Sequence, residues 1–387
     1  MGKKKLLILH PELVVGGAER VLINMLNNID ISKFDITLIL RNPAVWDILI
    51  PARINVYYLF KVNPRKKNRF CARLYKYCMI FCPSLIWMFF GPKQKYDTII
   101  SYHEPMLWFL SCTRGKRKVL WIHSDYSKRE YAPEVKELGD KNGLLAALIS
   151  SRRNKLINSL DNVVFVAESC IAPFVKFTGF DSSKAVVLYN LNDEISIKEK
   201  AKEKITDVCW NEYKGAHLVM CGRISHEKAM HRLIPLMKHL KEDKIDAKIF
   251  IIGDGDLRSD LENQISQSML KDKFILLGYQ SNPYKYICRA KLVLICSPSE
   301  AYCTVTKESI LLGTPFVTTD CSGMREQIGA TKAGIIVPQG EDTLFTAVES
   351  ILMDDELYND MKIGVQIRQN NLSDARNINQ IEKFLFR

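Results

Sequence analysis

The sequence predicts an α/β protein made of two doubly wound domains, each built on a parallel sheet. At 387 residues the chain is long for one core, and two domains of about 150–200 residues are the expected division. Continuous apolar runs alternate with helical patterns, which is typical of parallel strands buried on both faces. This alternation occurs twice, and each series begins with a strand that runs into a glycine turn.

The first series predicts a domain over residues 1–190. It opens with the strand Lys5–His10, after which Gly16-Gly17 begins a helix that continues through Asn27. Five further strands are predicted at Phe34–Leu40, Thr98–Tyr102, Val119–His123, Val163–Val166 and Ala185–Tyr189.

A polar, charged stretch then predicts a linker with a short helical piece over residues 191–213. The second domain is expected over 214–372, and a C-terminal helix over 373–387 that packs back on the first domain. Its strands are predicted at His217–Cys221, Lys248–Ile252, Phe274–Leu277, Leu292–Cys296, Phe316–Thr319 and Ile335–Val337. Its helices are predicted at Ala229–Leu240, Leu257–Met269, Val305–Leu312, Leu344–Met353 and Asn377–Phe386. Ligands of such folds bind beyond the carboxyl ends of the strands, here in the cleft between the domains.

Composition excludes several classes of protein. Hydrophobic residues make up 47% and charged residues 25%, which is typical of a globular chain and not of a disordered or fibrous one. The 11 cysteines are an odd number without any C-x-x-C pair or accompanying histidine cluster, so neither a metal site nor a disulfide framework is expected. The longest apolar run, Tyr77–Gly91, contains Pro83 and is shorter than the roughly 20 residues of a spanning helix. With no signal peptide pattern, a cytoplasmic protein is expected.

The net charge of +12 is uneven, since the first 190 residues carry +14 and the remainder −2. An anionic partner is therefore expected, and no nucleic-acid-binding motif accompanies the charge. The segment Pro64–Lys95 starts basic and then turns aromatic, which favours an interfacial helix on the inner face of an anionic membrane. The alternative is a core helix of the first domain that Pro83 breaks. The basic residues concerned are Arg65, Lys66, Lys67, Arg69, Arg73 and Lys76.

Two glycine-containing turns have the chemistry of phosphate sites. Gly16-Gly17 opens a helix whose free N–H groups and dipole favour an anion, although a packing role explains such glycines equally well. Gly222-Arg223 and Lys228 lie on a loop that follows the first strand of the second domain. Arg223 supplies a planar fork and Lys228 a point charge, and both can converge on a diphosphate. An ordinary charged surface loop is the alternative.

Two carboxylates eight positions apart form the strongest feature. Glu300 would lie on a loop after a strand, and Glu308 one turn into a helix that Thr304 opens. Because a carboxylate can accept hydrogen bonds from two vicinal hydroxyls, one glutamate suits a sugar and the other a ribose. Amides at the helix start can face a phosphate.

These features together resemble the retaining glycosyltransferases of family 4, of the bacterial surface-polysaccharide type, which have the GT-B fold. The resemblance covers nearly the whole chain. It is carried by the turn Gly16–Glu19, Trp121–Asp125, Leu188–Asn190, Gly222-Arg223 with Lys228, Ile252–Arg258, Leu276–Gly278, the paired glutamates, Gly313–Pro315 and Cys321–Glu326.

The resemblance implies roles for matching positions. Arg223 and Lys228 would hold the donor diphosphate, Glu308 the ribose and Glu300 the transferred sugar. The Gly16-Gly17 turn would close over the phosphates and the acceptor. His123 would touch the donor sugar, unless it is a satisfied core histidine; His103 is a weaker candidate of the same kind. Further donor contacts are implied for Thr304, Val305, Tyr279 and Gly253.

The implied reaction transfers a sugar from a nucleoside diphosphate, UDP more often than GDP, to a glycan or lipid-linked acceptor with retention. The resemblance implies that cationic side chains take the place of a metal ion, so no cofactor is expected. Three small residues depart from the family pattern: Ala301 and Ala229 stand where glycine is usual, and Ser309 where alanine is usual. The alternatives are a sugar-nucleotide epimerase or hydrolase on the same fold, and a non-catalytic binding partner, which would have lost a glutamate or basic residue that this chain keeps.

Overall fold

The computed structural model describes residues 2–14, 16–61, 69–129, 143–340 and 343–387. The chain forms two compact units, the first from Met1–Leu191 with Ala375–Arg387 and the second from Asn192–Asp374. Each unit is built on a parallel sheet, as the sequence predicted.

The first sheet has seven parallel strands in the order β3-β2-β1-β4-β5-β6-β7. The strands are β1 Lys4–His10, β2 Phe34–Leu40, β3 Asn55–Tyr58, β4 Tyr96–Ser101, β5 Gly115–Ile122, β6 Asn162–Phe165 and β7 Ala185–Val187. The helices of this part are α1 Gly17–Asn28, α2 Arg69–Phe81, α3 Pro83–Phe90, α4 Leu144–Asn158 and α5 Ile171–Thr178, with shorter 3₁₀ turns at Val45–Leu49 and Glu104–Ser111. Leu6, Leu7, Ile8 and Leu9 of β1 have no exposed surface, so this inner strand is covered on both faces.

The second sheet has six parallel strands in the order β10-β9-β8-β11-β12-β13. They are β8 Ala216–Cys221, β9 Ala247–Ile252, β10 Phe274–Gly278, β11 Leu292–Ile295, β12 Phe316–Thr319 and β13 Gly334–Val337. The helices are α6 Glu194–Ala201, α7 Val208–Glu212, α8 Leu233–Glu242, α9 Arg258–Gln267, α10 Tyr284–Ile287, α11 Thr304–Leu311, α12 Met324–Ile328, α13 Thr343–Met353 and α14 Asp355–Asn371; α15 Asp374–Phe386 follows them.

Successive residues of β8 pack into two different apolar clusters. Leu218 and Met220 belong to the cluster that includes α8 and α13 side chains. Val219 belongs to the cluster that includes side chains of α6, α10 and α11. Because adjacent side chains of a strand point to opposite faces, both faces of the second sheet are buried, which is the doubly wound arrangement.

The segment 191–213, expected to be a linker, belongs in the structure to the second unit from Asn192 onward. It carries α6 and α7, and the side chains of Ile197, Ala201, Ile205 and Trp210 are buried in that unit's apolar core. Its polar composition reflects the exposed side of two short helices rather than a free connection.

The C-terminal helix α15 is grouped with the first unit from Ala375 onward. Glu382 accepts a hydrogen bond from the Asp30 amide at 2.8 Å and pairs with the Lys33 ammonium at 2.7 Å. The Arg117 guanidinium lies 4.0 Å from the ring centroid of Phe384 and donates to its carbonyl oxygen. The end of the chain therefore completes the first unit.

The described part of the basic and aromatic segment 64–95 forms two helices, α2 and α3. Arg65, Lys66 and Lys67 lie outside the described residues, and the helices α2 and α3 are separated just before Pro83. Tyr75, Met79 and Ile80 of α2 are buried, so this helix packs on the first unit with one face. In the described residues, no helix has both the length and the apolar character needed to cross a membrane.

Candidate functional site

Four adjacent strands of the second sheet end beside the residues that the sequence singled out. Tyr279 follows β10, Gly253 follows β9, Arg223 follows β8, and the loop with Glu300 follows β11. These strands are neighbours in the sheet and run parallel, so their carboxyl ends lie at the same edge. This edge is where ligands bind in doubly wound folds.

The loops after β8 and β9 are joined through their backbones. The Gly222 amide donates to the Ile252 carbonyl at 2.9 Å, and the Ile224 amide to the Asp254 carbonyl at 3.0 Å. Gly253 has a φ of 146°, and a Cβ there would overlap the carbonyl oxygen of Gly222. Only glycine fits both constraints, so Gly253 supports the loop that carries Arg223.

Lys228 and Glu300 are brought into contact. The Lys228 Nζ lies 2.5 Å from the Glu300 Oε1, and the Ser297 hydroxyl donates to the same oxygen at 2.7 Å. Within the described residues the other oxygen, Oε2, accepts no hydrogen bond. One carboxylate oxygen is thus used to hold the lysine, and the second is left for a ligand hydroxyl.

The Lys228 ammonium keeps its proton. Burial by itself would lower the pKa of Lys228, but the Glu300 carboxylate and the nearby Cys303 and Cys221 thiols raise that pKa above its usual range. Arg223, on the same loop, is exposed. The loop therefore presents two permanent positive charges at the carboxyl edge of the sheet.

Ala229, next to this lysine, adopts a left-handed backbone with φ 45° and ψ 42°. Such a conformation costs an L-residue roughly 1–2 kcal/mol, and only glycine adopts it freely. Ala229 therefore holds the turn after Lys228 under strain, which glycine at this position would relieve.

Thr304 opens α11, as the sequence predicted, and Val305 follows it; both are half-buried. Glu308 lies one turn into this helix and is 3% exposed. The neighbouring Lys307 is also buried, and its Nζ lies 2.5 Å from the Asp374 Oδ1. A buried charge next to Glu308 is thus compensated within the unit.

In the first unit, α1 begins at Gly17 with Gly16 as its N-cap. Gly16 has an extended backbone, which any residue adopts, but a Cβ there would overlap the Glu19 carboxylate. Because that carboxylate is the end of a flexible side chain that can shift, neither the backbone conformation nor the available space requires glycine at this position. Val15, just before it, lies outside the described residues.

His123 follows β5 and is half-buried, with its ring centroid 4.6 Å from that of Tyr102. Burial, together with His103, lowers the pKa of His123 to about 3. Burial also lowers the pKa of His103, which follows β4. Both imidazoles are neutral at ordinary pH.

Two groups near these histidines were not predicted from the sequence. His10 is the last residue of β1 and has no exposed surface. Glu104 is buried and pairs with the guanidinium groups of Arg129 at 2.7 Å and Arg153 at 3.8 Å. Burial alone would raise the pKa of Glu104, but the two arginines and a hydrogen bond from Ser124 lower it to about 2. A signal was available for both, since His10 ends the apolar strand β1 and Glu104 lies shortly after the end of the apolar strand β4.

Among the described residues, no three histidine, cysteine or acidic side chains are grouped so as to hold a metal ion. Cys296 and Cys303, which are both buried, are free thiols.

Comparison with known proteins identifies the second unit. Residues 210–366 match the model of the family "Glycosyl transferases group 1". A Campylobacter jejuni relative, N-acetylgalactosamine-N,N'-diacetylbacillosaminyl-diphospho-undecaprenol 4-alpha-N-acetylgalactosaminyltransferase, is 32% identical over 176 residues. The match covers 45% of this chain and 46% of that relative, so it spans slightly less than half of either protein.

Solved structures match over nearly the whole chain. Anabaena HepE, solved in complex with UDP and glucose, covers 99% of both chains with a TM-score of 0.72 at 16% identity. Sucrose-phosphate synthase from Thermosynechococcus elongatus covers 99% of both with a TM-score of 0.75 at 14% identity. These likenesses confirm the predicted GT-B fold.

Proposed function

We propose that this chain transfers a sugar from a nucleoside diphosphate sugar, UDP rather than GDP, to a glycan or lipid-linked acceptor with retention of configuration. The observation that carries the proposal is the Lys228–Glu300 pair beside Arg223, at the carboxyl edge of a glycosyl transferases group 1 domain. The Campylobacter relative, named for a diphospho-undecaprenol substrate, supports the lipid-linked acceptor and a role in surface-polysaccharide synthesis.

In this proposal Arg223 and Lys228 bind the diphosphate. The negative charge on the leaving diphosphate grows as the glycosidic bond breaks, and fixed cations stabilise that growing charge. Lys228 is protonated before the donor arrives, because Glu300 raises its pKa. Two such cations supply the electrostatic role for which other enzymes use a metal, so the reaction needs no metal ion.

The remaining residues orient the donor. Glu300 accepts hydroxyls of the transferred sugar through Oε2, and Glu308 accepts the ribose hydroxyls. The amides of Thr304 and Val305 at the start of α11 face the phosphates. Tyr279 and Gly253 lie by the nucleotide base.

The proposal also assigns roles to residues of the first unit. His123 touches the donor sugar, and the Gly16-Gly17 turn faces the phosphates and acceptor. Retention follows if the acceptor attacks from the face that the diphosphate leaves, through an oxocarbenium-like state. The protein then contributes positioning and leaving-group stabilisation rather than a covalent intermediate.

A donor screen tests this function. Purified protein is incubated with UDP-glucose, UDP-galactose, UDP-N-acetylglucosamine, UDP-N-acetylgalactosamine and GDP-mannose, and release of nucleoside diphosphate is measured with and without an octyl glycoside acceptor. Slow hydrolysis of one donor that the acceptor accelerates supports a transferase. Epimerised donor without release favours an epimerase, and binding without turnover favours a non-catalytic partner.

The two glutamates should respond differently to substitution. We expect Glu308→Ala to weaken UDP affinity about 10- to 100-fold, the scale of a lost hydrogen bond to a charged group. We expect Glu300→Ala to retain or strengthen UDP affinity, since Lys228 loses its competing partner, while transfer falls on the order of 100-fold. Calorimetry with UDP and initial rates with the active donor measure these effects.

Glu199→Ala is the matched control, because Glu199 is exposed and pairs with Lys202 on the surface at 2.6 Å. Near wild-type transfer by both Glu300→Ala and Glu308→Ala would show that the assignment of the two glutamates is wrong.

We also propose that the first unit docks on an anionic membrane through α3. Leu85, Met88, Phe89 and Phe90 of this helix are each more than half exposed, and Lys93 and Lys95 just after it are exposed as well. Bulky apolar side chains beside lysines suit insertion at the headgroup level. Each basic residue near an anionic surface adds about 1 kcal/mol, so the +14 of the first 190 residues supports binding.

Flotation with phosphatidylglycerol vesicles checks this docking. We expect Met88→Asp, and the joint change of Arg65, Lys66, Lys67 and Arg69 to glutamine, to abolish flotation at low salt. Met353→Asp is the matched control, since Met353 is also more than half exposed but lies on α13 of the second unit. Absence of wild-type flotation, or flotation that survives both changes, would exclude this surface.

A further inference from the structure

The helix α11, which carries Glu308, buries several polar side chains. Six of its eight residues, Thr306–Leu311, are buried, and four of these six have polar or charged side chains. Polar groups that leave water need partners inside the protein, so the hydrogen bonds of this helix determine where it lies. The two ends of the helix are held in different ways.

The end of α11 is held through backbone carbonyl groups. The Gln369 side chain donates to the Leu311 carbonyl oxygen at 2.9 Å, and the Lys362 ammonium donates to the Gly313 carbonyl oxygen at 2.5 Å. Both donors lie on α14. They supply partners for carbonyl groups that the end of a helix leaves unsatisfied, and so they fix the last turn.

The first turn of α11 is held through the side chain of Lys307. This side chain is 2% exposed, and its Nζ lies 2.5 Å from the Asp374 Oδ1. The other oxygen of that carboxylate, Oδ2, accepts a hydrogen bond from the Asn192 amide at 3.0 Å. The Asp374 amide donates to the Glu194 carboxylate at 3.0 Å, so Asp374 is fixed through its side chain and its backbone. Lys307 and Asp374 are here called the helix anchor.

Stability gives no reason to bury this ion pair. Removing an ammonium and a carboxylate from water costs free energy, and apolar residues of similar volume in place of a buried ion pair are often neutral or stabilising. One attested use of such a pair is to fix a single arrangement of neighbouring elements. The helix anchor does this for α11, because it joins the first turn of the helix to the chain at Asn192 and Asp374.

The helix anchor can act on Glu308 without contacting it. Side chains one position apart on a helix do not face each other, so Lys307 and Glu308 point in different directions. Lys307 reaches Asp374, and the position of the turn that it holds sets the position of the next residue. A carboxylate that accepts hydrogen bonds from two vicinal hydroxyls must be placed accurately, because both contacts depend on its orientation.

We propose that Lys307 and Asp374 are positioning residues for recognition of the nucleotide ribose. They hold the first turn of α11 so that the Glu308 carboxylate meets both ribose hydroxyls, and neither residue contacts the donor itself. This inference rests on the proposed function, in which Glu308 binds the ribose. Loss of the helix anchor therefore lowers the affinity for a nucleotide that has both hydroxyls and leaves the affinity for a nucleotide without them unchanged.

Paired nucleotides measure this effect. Calorimetry compares UDP with 2′,3′-dideoxy-UDP and GDP with 2′,3′-dideoxy-GDP, and the base that the wild type binds more tightly is used for the variants. We expect the wild type to prefer the complete ribose about 10- to 100-fold, the scale of a hydrogen bond to a charged group. Glu308→Ala should abolish this preference by lowering the affinity for the complete nucleotide alone.

The anchor is tested with Lys307→Met and with the double variant that also carries Asp374→Asn. The double variant leaves no uncompensated charge, and asparagine keeps an oxygen for the Asn192 amide, so its midpoint of urea unfolding should stay close to that of the wild type. We expect both variants to lose about tenfold of the preference for the complete ribose. Lys332→Met is the matched control, since the Lys332–Asp360 pair lies on the surface of the same unit at 2.6 Å.

A folded double variant that keeps the wild-type preference overturns the inference. An equal loss of affinity for both nucleotides overturns it too, because a merely structural role weakens both alike. If neither variant folds, the pair serves stability alone and the inference is likewise wrong. A wild type that binds neither diphosphate, or that shows no preference for the complete ribose, contradicts the proposed function, and the inference fails with it. The two failures are distinguishable, since one is seen in the wild type and the other only in the variants.

Discussion

Replacement of Lys228 by methionine is expected to reduce transfer by two to three orders of magnitude, the scale measured for loss of one electrostatic stabiliser. Methionine keeps the length of the side chain and removes its charge, so the leaving diphosphate loses a cation that Glu300 holds in place at 2.5 Å. The loss of binding affinity should be confined to contacts with the phosphates. Affinity for UDP should fall, while affinity for uridine should stay unchanged.

Lys202→Met provides the control, because the Lys202–Glu199 pair is exposed on the second unit and makes little contribution to stability. Transfer by wild-type protein should also be unaffected by EDTA. Activity that EDTA abolishes and magnesium restores would contradict the metal-free assignment, and transfer by Lys228→Met within a few-fold of wild type would contradict the role of the lysine.

Replacement of Glu104 by alanine is expected to destabilise the protein by about 3–5 kcal/mol, because removing one partner of a buried ion pair leaves the other charge uncompensated. Arg129 and Arg153 would both remain, and Arg153 has no exposed surface. Urea denaturation followed by tryptophan fluorescence measures the change. Glu199→Ala should shift the free energy of unfolding by less than about 1 kcal/mol, as surface pairs do.

The pH dependence of the free energy of unfolding provides a second test of the role of Glu104. The pKa of Glu104 is about 2 in the folded protein against 4.5 for an ordinary glutamate, so its charged form is favoured by folding. This contribution is complete above pH 4.5 and is lost as the pH falls from 4.5 towards 2. Glu104→Gln should remove that part of the acid sensitivity. An unchanged free energy of unfolding in both variants would show that the arginines are compensated elsewhere.

The sequence predicted those elements whose apolar runs are continuous, and it missed those that bury little. β3 was not predicted, because three of the four side chains of this edge strand, Asn55, Tyr57 and Tyr58, are exposed. α14 was not predicted either, since only Met361, Gly364 and Val365 of its 17 residues are buried. A strand or helix that buries few side chains is stabilised mainly by packing against neighbouring elements. Its own sequence therefore shows only a weak apolar periodicity.

The candidate site was likewise predicted where the local sequence determines the structure, and missed where the structure depends on long-range contacts. The spacing of Glu300 and Glu308 placed one on a loop and one in α11, because the start of a helix is a local property. The contact between Lys228 and Glu300 joins residues 72 positions apart, so it depends on strand order and is invisible to local pattern. The strain at Ala229 was also hidden, since a small residue in place of glycine looks harmless until its φ of 45° is known.

The ion pair beside Glu308 has a consequence for protein engineering. The Asp374 carboxylate that holds Lys307 also accepts a hydrogen bond from the Asn192 amide at 3.0 Å, and Asn192 and Asp374 are the first and last residues of the second unit. The two ends of this unit are therefore side by side, fastened to the helix that carries Glu308. Excised as residues 192–374, the unit would have its two ends side by side, a geometry that suits circular permutation or insertion into a loop of another protein.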